Sequence, residues 1–283
     1  MAQEIKPTDI RKPVSADRFY PGNKNKLIKQ IDDLLSNTTS SRIDGQIRGI
    51  IAPHAAYVYS GSAAAEAYIQ LKNRHYDVVA VIAATHYHET IRGVSVFNGA
   101  AYQTALGLVP VAQALANALI RRDDKLISTF SGHRQEHSLE IQLPFLQTVL
   151  SEFQIIPIVV LDQDYELYTI LGENLAQILA GKNALIVASS DLSHYHSDAL
   201  ARKLDSVTIE HIKNFDYQGL ADDLSHDVCE ACGGGPMISA MIACEKLGAK
   251  KVEILKYMTS GDVMDFDKSR VVGYLSAAMY QAA

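Results

Sequence analysis

The stretch YDVVAVIAA (76–84) is rich in Val and Ile and polar on neither face. A strand of that kind must be covered on both sides, which parallel sheets flanked by helices provide and half-solvated hairpin sheets do not. The rest of the chain repeats the theme. IRGIIAP (47–53), QIIPIVVL (154–161) and ALIVASS (184–190) read as further buried strands, and VEILKYMT (252–259) and VVGYLSAAMY (271–280) as strands near the end. Between them lie helix-patterned segments at 61–71, 109–120, 165–180, 198–214 and 237–247. Pro110 would sit in the first turn of the second of these. A further helix is expected at 135–150, kinked or interrupted near Pro144. Strands alternating with helices predict an α/β fold, with a largely parallel or mixed central sheet between helices. Repeats, low-complexity tracts and Pro/Ser-rich linkers are absent, so residues 1–283 are expected to form one domain.

Composition narrows the function classes. The net charge is −6 without a basic cluster, which argues against nucleic acid and anionic membranes as partners. No apolar run reaches the roughly 20 residues that span a bilayer, and the first residues lack the apolar core of a signal peptide. Three cysteines are too few for a disulfide framework. The expected compartment is the cytoplasm.

Chemistry gathers where the apolar runs stop. The run 47–53 leads into His54, 76–84 into Thr85-His86-Tyr87-His88, and 184–190 into Asp191-Leu192-Ser193-His194. Ligands bind beyond the carboxyl ends of strands in open parallel sheets, so these side chains are candidates for one site. Any one of them alone is more often a hydrogen-bonded structural histidine. Three such endings are harder to assign to turns, which usually recruit Gly, Asn, Asp and Ser. His88 is the weaker half of its pair, because the chain has left the strand by then.

Cys232 precedes Gly233-Gly234-Gly235-Pro236 and an apolar helix-patterned stretch. The glycines permit a tight turn and close approach to a ligand. A helix N-terminus beside the cysteine favours thiolate, the form that binds metal. A structural thiol over a tight turn is the plain alternative. Cys229 and Cys232 form a C-x-x-C, but three glycines separate it from the helix, unlike a thioredoxin-type motif. Cys244 reads as core. His133 and His137 have the spacing of an H-E-x-x-H helix, yet Arg134 replaces the required glutamate. Glu136, His137 and Glu140 are either supports of the cleft or a solvated helix start.

His54, His86 and Cys232 together offer two imidazoles and a thiolate. Non-haem iron uses two histidines and a carboxylate with open positions, and a thiolate makes copper or zinc more competitive. The metal stays open among these three. Asp191 and His194 would then lie nearby to handle protons.

These residues also form a recognisable series. VSADRFYPG (14–22), IIAPHAAYVYSG (50–61), THYH (85–88), EHSLEIQLPFL (136–146), ASSDLSHY (188–195), CGGGP (232–236) and YMTSGD (257–262) resemble the Memo family over nearly the whole chain, in the family's order. Its prokaryotic members are usually called AmmeMemoRadiSam system protein B. The resemblance implies a fold like that of the LigB-type class III extradiol dioxygenases, with a metal-binding cleft. It places the family's site histidines on His54 and His86 and its site cysteine on Cys232. The histidine that resembles the dioxygenase acid/base falls on His194, with Asp191 beside it, and His137 matches the E-H-S histidine. Two departures stand out. Ala56 replaces the glycine of A-P-H-A-G-Y, and Gly234 and Gly235 stand where animal members carry a bulkier, basic run.

Three functions compete on this reading. The first is an iron(II)- or copper-dependent oxidoreductase, dioxygenase-like, acting on a small molecule or peptide in the cleft. The second is a non-catalytic binding or adaptor protein that keeps the cleft; the system name implies a radical-SAM partner protein. The third is a metal-free hydrolase with Cys232 as nucleophile and His194 as base. A homodimer is compatible with all three.

Overall fold

The computed structural model describes residues 4–87, 89–263 and 267–282, so His88 lies outside the described residues. The first half runs β1 (Ile10–Arg11), α1 (Lys24–Ser36), β2 (Gly45–Ala52), α2 (Tyr57–Ile69) and β3 (Val78–Ala84). Short strands follow: β4 (Val94–Val96), β5 (Ala101–Thr104) and β6 (Gly107–Pro110), then α3 (Gln113–Ile120), β7 (Leu126–Ile127) and α4 (Gln142–Val149). The second half runs β8 (Gln154–Val160), α5 (Tyr165–Leu179), β9 (Ala184–Ser189) and β10 (His194–His196). It ends with α6 (Asp198–Lys213), α7 (Tyr217–Ser225), α8 (Gly234–Lys246), β11 (Lys251–Thr259) and β12 (Val271–Ala282).

Among the described residues, nine strands make one mixed sheet, in the order β10-β12-β2-β9-β3-β8-β4-β7, with β11 also paired to β12. Its centre, β2-β9-β3-β8, is parallel. β12 joins antiparallel to β2, and β4 antiparallel to β8. Every residue of β9, and β3 from Val78 to Ala83, is buried, as an apolar run without alternation requires. Each fully buried Val, Leu or Ile there contributes about 1.5–3 kcal/mol relative to exposure. α8 packs on β2, β9 and β3, with α5 and α7 against it; α2 packs on β2 and β12, with α1 and α4 against it. No helix among the described residues is long and apolar enough to cross a membrane.

Four expectations change. Pro110 ends a strand instead of opening a helix: β6 is the edge of a small sheet β1-β5-β6, where a missing N–H costs no ladder bond, and α3 starts at Gln113. The helix expected over 135–150 covers Gln142–Val149 alone, with Pro144 in its first turn and not at a kink. Residues 138–141 form turns ahead of it, where the Ser138 N–H donates to the buried Glu136 carboxylate in place of a helical carbonyl. Two helices start earlier than read, α2 at Tyr57 and α8 at Gly234. The helices α1 and α7 were not anticipated. α1 did leave a signal, since Leu27, Ile31 and Leu35 recur every four residues behind an Asn23 cap that accepts the Asn25 and Lys26 amides.

Candidate metal centre

β2 and β9 keep their parallel register one residue past the strands, where Ser190 N–H donates to the Ala52 carbonyl (3.0 Å). The chain then turns over Pro53 and presents His54, whose N–H donates to Asp191 Oδ1 at 2.7 Å; Ala55 N–H reaches the same oxygen at 3.3 Å. Asp191 thus clamps the backbone of the loop that carries His54. β3 ends beside it, and His86 is held at two points by one carboxylate: its N–H donates to Glu136 Oε2 (2.7 Å) and its Nδ1 meets Oε1 (2.9 Å). Cys232 comes from the turn before α8, with Sγ 3.1 Å from His54 Nε2 and 3.3 Å from the Asp191 amide. The turn can come this close because of its glycines. A Cβ on Gly233 would lie 2.2 Å from the Ser189 carbonyl oxygen, and one on Gly235 would lie 2.3 Å from the Tyr168 ring.

The hydrogen-bond network sets which imidazole nitrogen is free. The Gln142 side chain donates from Nε2 to the Pro53 carbonyl (3.1 Å) and to Ser189 Oγ (2.8 Å). Ser189 in turn donates its one hydroxyl proton to the Ser138 carbonyl at 2.7 Å. The remaining partner of Ser189 Oγ is His54 Nδ1, at 2.9 Å, which must therefore carry a proton. Nε2, facing Cys232, keeps its lone pair. Glu136 does the same for His86 and for His137, whose Nδ1 lies 3.1 Å from Oε1. A carboxylate behind a ligating histidine is how metal sites fix ring orientation and tautomer.

Electrostatics agree with this assignment. Burial, with the neighbouring His86 and His137 rings, holds His54 well below the ordinary histidine range, so it is neutral. Burial opposes ionisation of Glu136, but the bonds from His137 and His86 outweigh it and keep the carboxylate ionised. Burial also lowers His86, and the bond to Glu136 with its charge reverses this to a net rise. Cys232 departs from expectation. Burial first, then the Asp191 charge, push its thiol up, so the nearby N-terminus of α8 does not by itself yield a thiolate. A bound cation is what deprotonates a coordinating thiol.

One donor atom from each of His54, His86 and Cys232 lies within 4.8 Å of the others. Ligands about 2.0–2.3 Å from a tetrahedral ion stand about 3.3–3.8 Å apart, so small side-chain adjustments bring this set onto one metal. Two soft or borderline donors with free lone pairs and a thiol fit such an ion chemically. His86, Glu136 and His137 form a second group of the same spacing that shares His86. His137 stacks on Phe19 (4.4 Å between centroids), and its ring lies 4.6 Å from that of His86 and 5.5 Å from that of His54.

His194 opens β10 and lines a cleft of about 880 Å³ beside Cys232, with Thr85, Tyr87, Asp162 and Glu230. Its N–H donates to Glu230 Oε2 (3.3 Å), and His196 Nε2 pairs with Oε1 (2.7 Å). The preceding Ser193 amide is held by the buried Asp205, 3.0 Å away, which also accepts from the Tyr257 hydroxyl at 2.8 Å. The first residue of YMTSGD therefore braces the loop of His194 from the far edge of the sheet.

Other candidates part from the site. His133 is fully buried, bonded to Tyr102 and the Ser95 carbonyl, and pushed down to about 3 by burial and Arg11. Glu140 is no solvated helix start and no neighbour of the ligands: it pairs with Arg11 and accepts from Tyr20, Val14 and Ser15. Cys229, Cys232 and Cys244 are free thiols, and Cys244 is core, as expected. Sequence reasoning missed Ser189, Gln142, Ser138 and Phe19. Each sits inside a motif already singled out, but no single chain pattern says that their side chains converge.

The model of a family described as Memo-like protein matches residues 11–278. A MEMO1 family protein of Nitrosopumilus maritimus is 40% identical over 270 residues, covering 94% of this chain and 98% of its own. Those of Methanobrevibacter smithii and Methanocaldococcus jannaschii are 34% and 35% identical, with 94–95% of this chain and 98% of theirs covered. Among solved structures, an uncharacterized protein of Escherichia coli K12 superposes with a TM-score of 0.50 at 13% identity, over 82% of this chain and 99% of that one, a likeness of fold alone. With a family match over nearly its whole length and relatives of that identity, the chain belongs to the Memo family.

Proposed function

We propose that the protein is a metal-dependent oxidoreductase with a dioxygenase-like cleft, in which His54, His86 and Cys232 hold iron(II) or copper. The observation that carries this reading is the convergence of three donors, one of which, Cys232, lines the cleft, with the ring nitrogen of His54 that faces Cys232 left unprotonated by Ser189. A redox-active ion there would supply electron transfer to an oxidant and polarise a bound substrate. The protein's own groups do the rest. Glu136 and Ser189 orient the imidazoles, and the parallel strands fix their separation. His194, on the cleft wall, is placed to accept or return a proton at its ring. Asp191 is buried, and burial raises its carboxyl above the ordinary range despite the bonds from His54 and Ala55, so it can hold a proton that an exposed aspartate would lose. The occupant of the cleft is a small molecule or short peptide, and the compartment a reducing cytoplasm in keeping with three free thiols.

The test is metal content by mass spectrometry on protein purified without chelator. One equivalent of iron or copper in the wild type, lost in His54→Ala, His86→Ala and Cys232→Ser with affinity down more than about 100-fold, is the expected result. Wild-type protein that takes up neither metal sinks the reading. Metal retained with no oxygen consumption on any small molecule tried, together with capture of a partner protein, turns it toward the adaptor alternative.

A further inference from the structure

One wall of the cleft is lightly built. Ala221, Leu224 and Ser225 of α7 face the cavity. Yet Leu220 is the one residue of that helix that is buried outright. What ties α7 down from outside is His211 of α6. Its Nδ1 meets Asp216 Oδ2 at 2.8 Å and its Nε2 meets Asp223 Oδ2 at 2.8 Å. Asp216 is also the cap of α7 and accepts the Gly219 amide at 2.9 Å. The imidazole therefore pins α7 at its start and near its end.

Two carboxylates on one imidazole demand two N–H groups. A neutral ring has one N–H and one lone pair, so on losing a proton it must face one carboxylate with a lone pair, and one contact must open. We propose that His211 is a clamp on α7 that closes this wall of the cleft when the imidazole carries both protons and releases it as pH rises. The charged groups set against the ring are Asp216 and Asp223, both from α7. The face of α6 turned to the strands carries Ala201, Asp205, Thr208 and Ile212, and its one titratable group, Asp205, bonds Ser193 and Tyr257 instead. Burial lowers the affinity of His211 for its proton, and the bonds to Asp223 and Asp216 outweigh that and raise it. The clamp is thus intact below the ordinary histidine value of about 6.5 and is lost as pH passes the raised one. Release would loosen the chain just ahead of Cys232 and widen access to the cleft, whatever metal or substrate it holds.

Hydrogen–deuterium exchange of the full chain tests this, with exchange corrected for intrinsic chemistry and α5 as the internal reference. Between about pH 6 and about pH 9, protection of residues 217–225 should fall at most about fivefold, and measurably, relative to α5. In His211→Gln and in Asp223→Ala that protection should already be low at the acidic end and no longer depend on pH. Wild-type α7 that keeps its protection relative to α5 over the range overturns the clamp. So does a His211→Gln variant that still shows the full pH-dependent loss.

Discussion

The histidine floor behind Cys232 and the helical wall of the cleft are held by different physics. On the floor, His54 is fixed by Ser189, which Gln142 and the Ser138 carbonyl hold in turn, and His86 and His137 are fixed by Glu136, which accepts the Ser138 N–H. The acceptors Glu136 and Ser189 are buried although His86 itself is partly exposed, and losing either acceptor leaves its partners unpaired. The wall formed by α7 rests on Leu220, Leu224 and two ion pairs whose carboxylates are a third to a half exposed. The candidate metal donors thus sit beside buried acceptors, and the proposed opening of the cleft falls to a helix with one buried residue.

The largest effect should come from the buried ion pair of Glu140 with Arg11, which reaches the histidines only through the Glu136 carbonyl that Arg11 also bonds. Glu140→Ala leaves Arg11 buried without its charge partner and frees the Tyr20 hydroxyl and two backbone amides. A loss of about 3–5 kcal/mol in urea unfolding is expected. A loss under about 1 kcal/mol would mean that the floor is not the stiff side.

Next comes the carboxylate that faces the ligands. Glu136→Gln keeps the shape but removes the charge that fixes the protonated Nδ1 of His86 and His137. Metal affinity, followed by titration with iron(II) or copper, should fall about 10–100-fold while the fold persists. Unchanged affinity would show that the imidazoles are oriented by packing alone.

The smallest effect belongs to the wall. The pairs of His211 stabilise the protein below about pH 6.5 and cease to do so as pH rises through its raised value. His211→Gln should therefore cost at most about 1 kcal/mol at acidic pH and nothing measurable at alkaline pH, by thermal unfolding at each pH. A cost that grows with pH would reverse the sign and refute the assignment of a doubly protonated ring.

Much of this could be read before any coordinates. The unbroken apolar runs required strands buried on both faces, and their common end-point put His54, His86, Asp191 and His194 within reach of one another. Cys232 was a candidate through its glycine-rich turn, and it joins them where Gly233 and Gly235 leave no room for a Cβ. What stayed hidden depended on contacts distant in sequence. Residues 135–150 have helical spacing, yet the helix begins only at Gln142, after the turn in which Ser138 bonds the buried Glu136 carboxylate. Pro110 reads equally well as a helix start or an edge residue, and sheet pairing decided it. Whether Cys232 is thiolate or thiol hung on burial and on Asp191, not on the helix end that local pattern suggested. Side-chain type and period are written in the chain. Protonation, tautomer and the choice of partner are electrostatic properties of groups brought together by folding, and only the three-dimensional arrangement decided them.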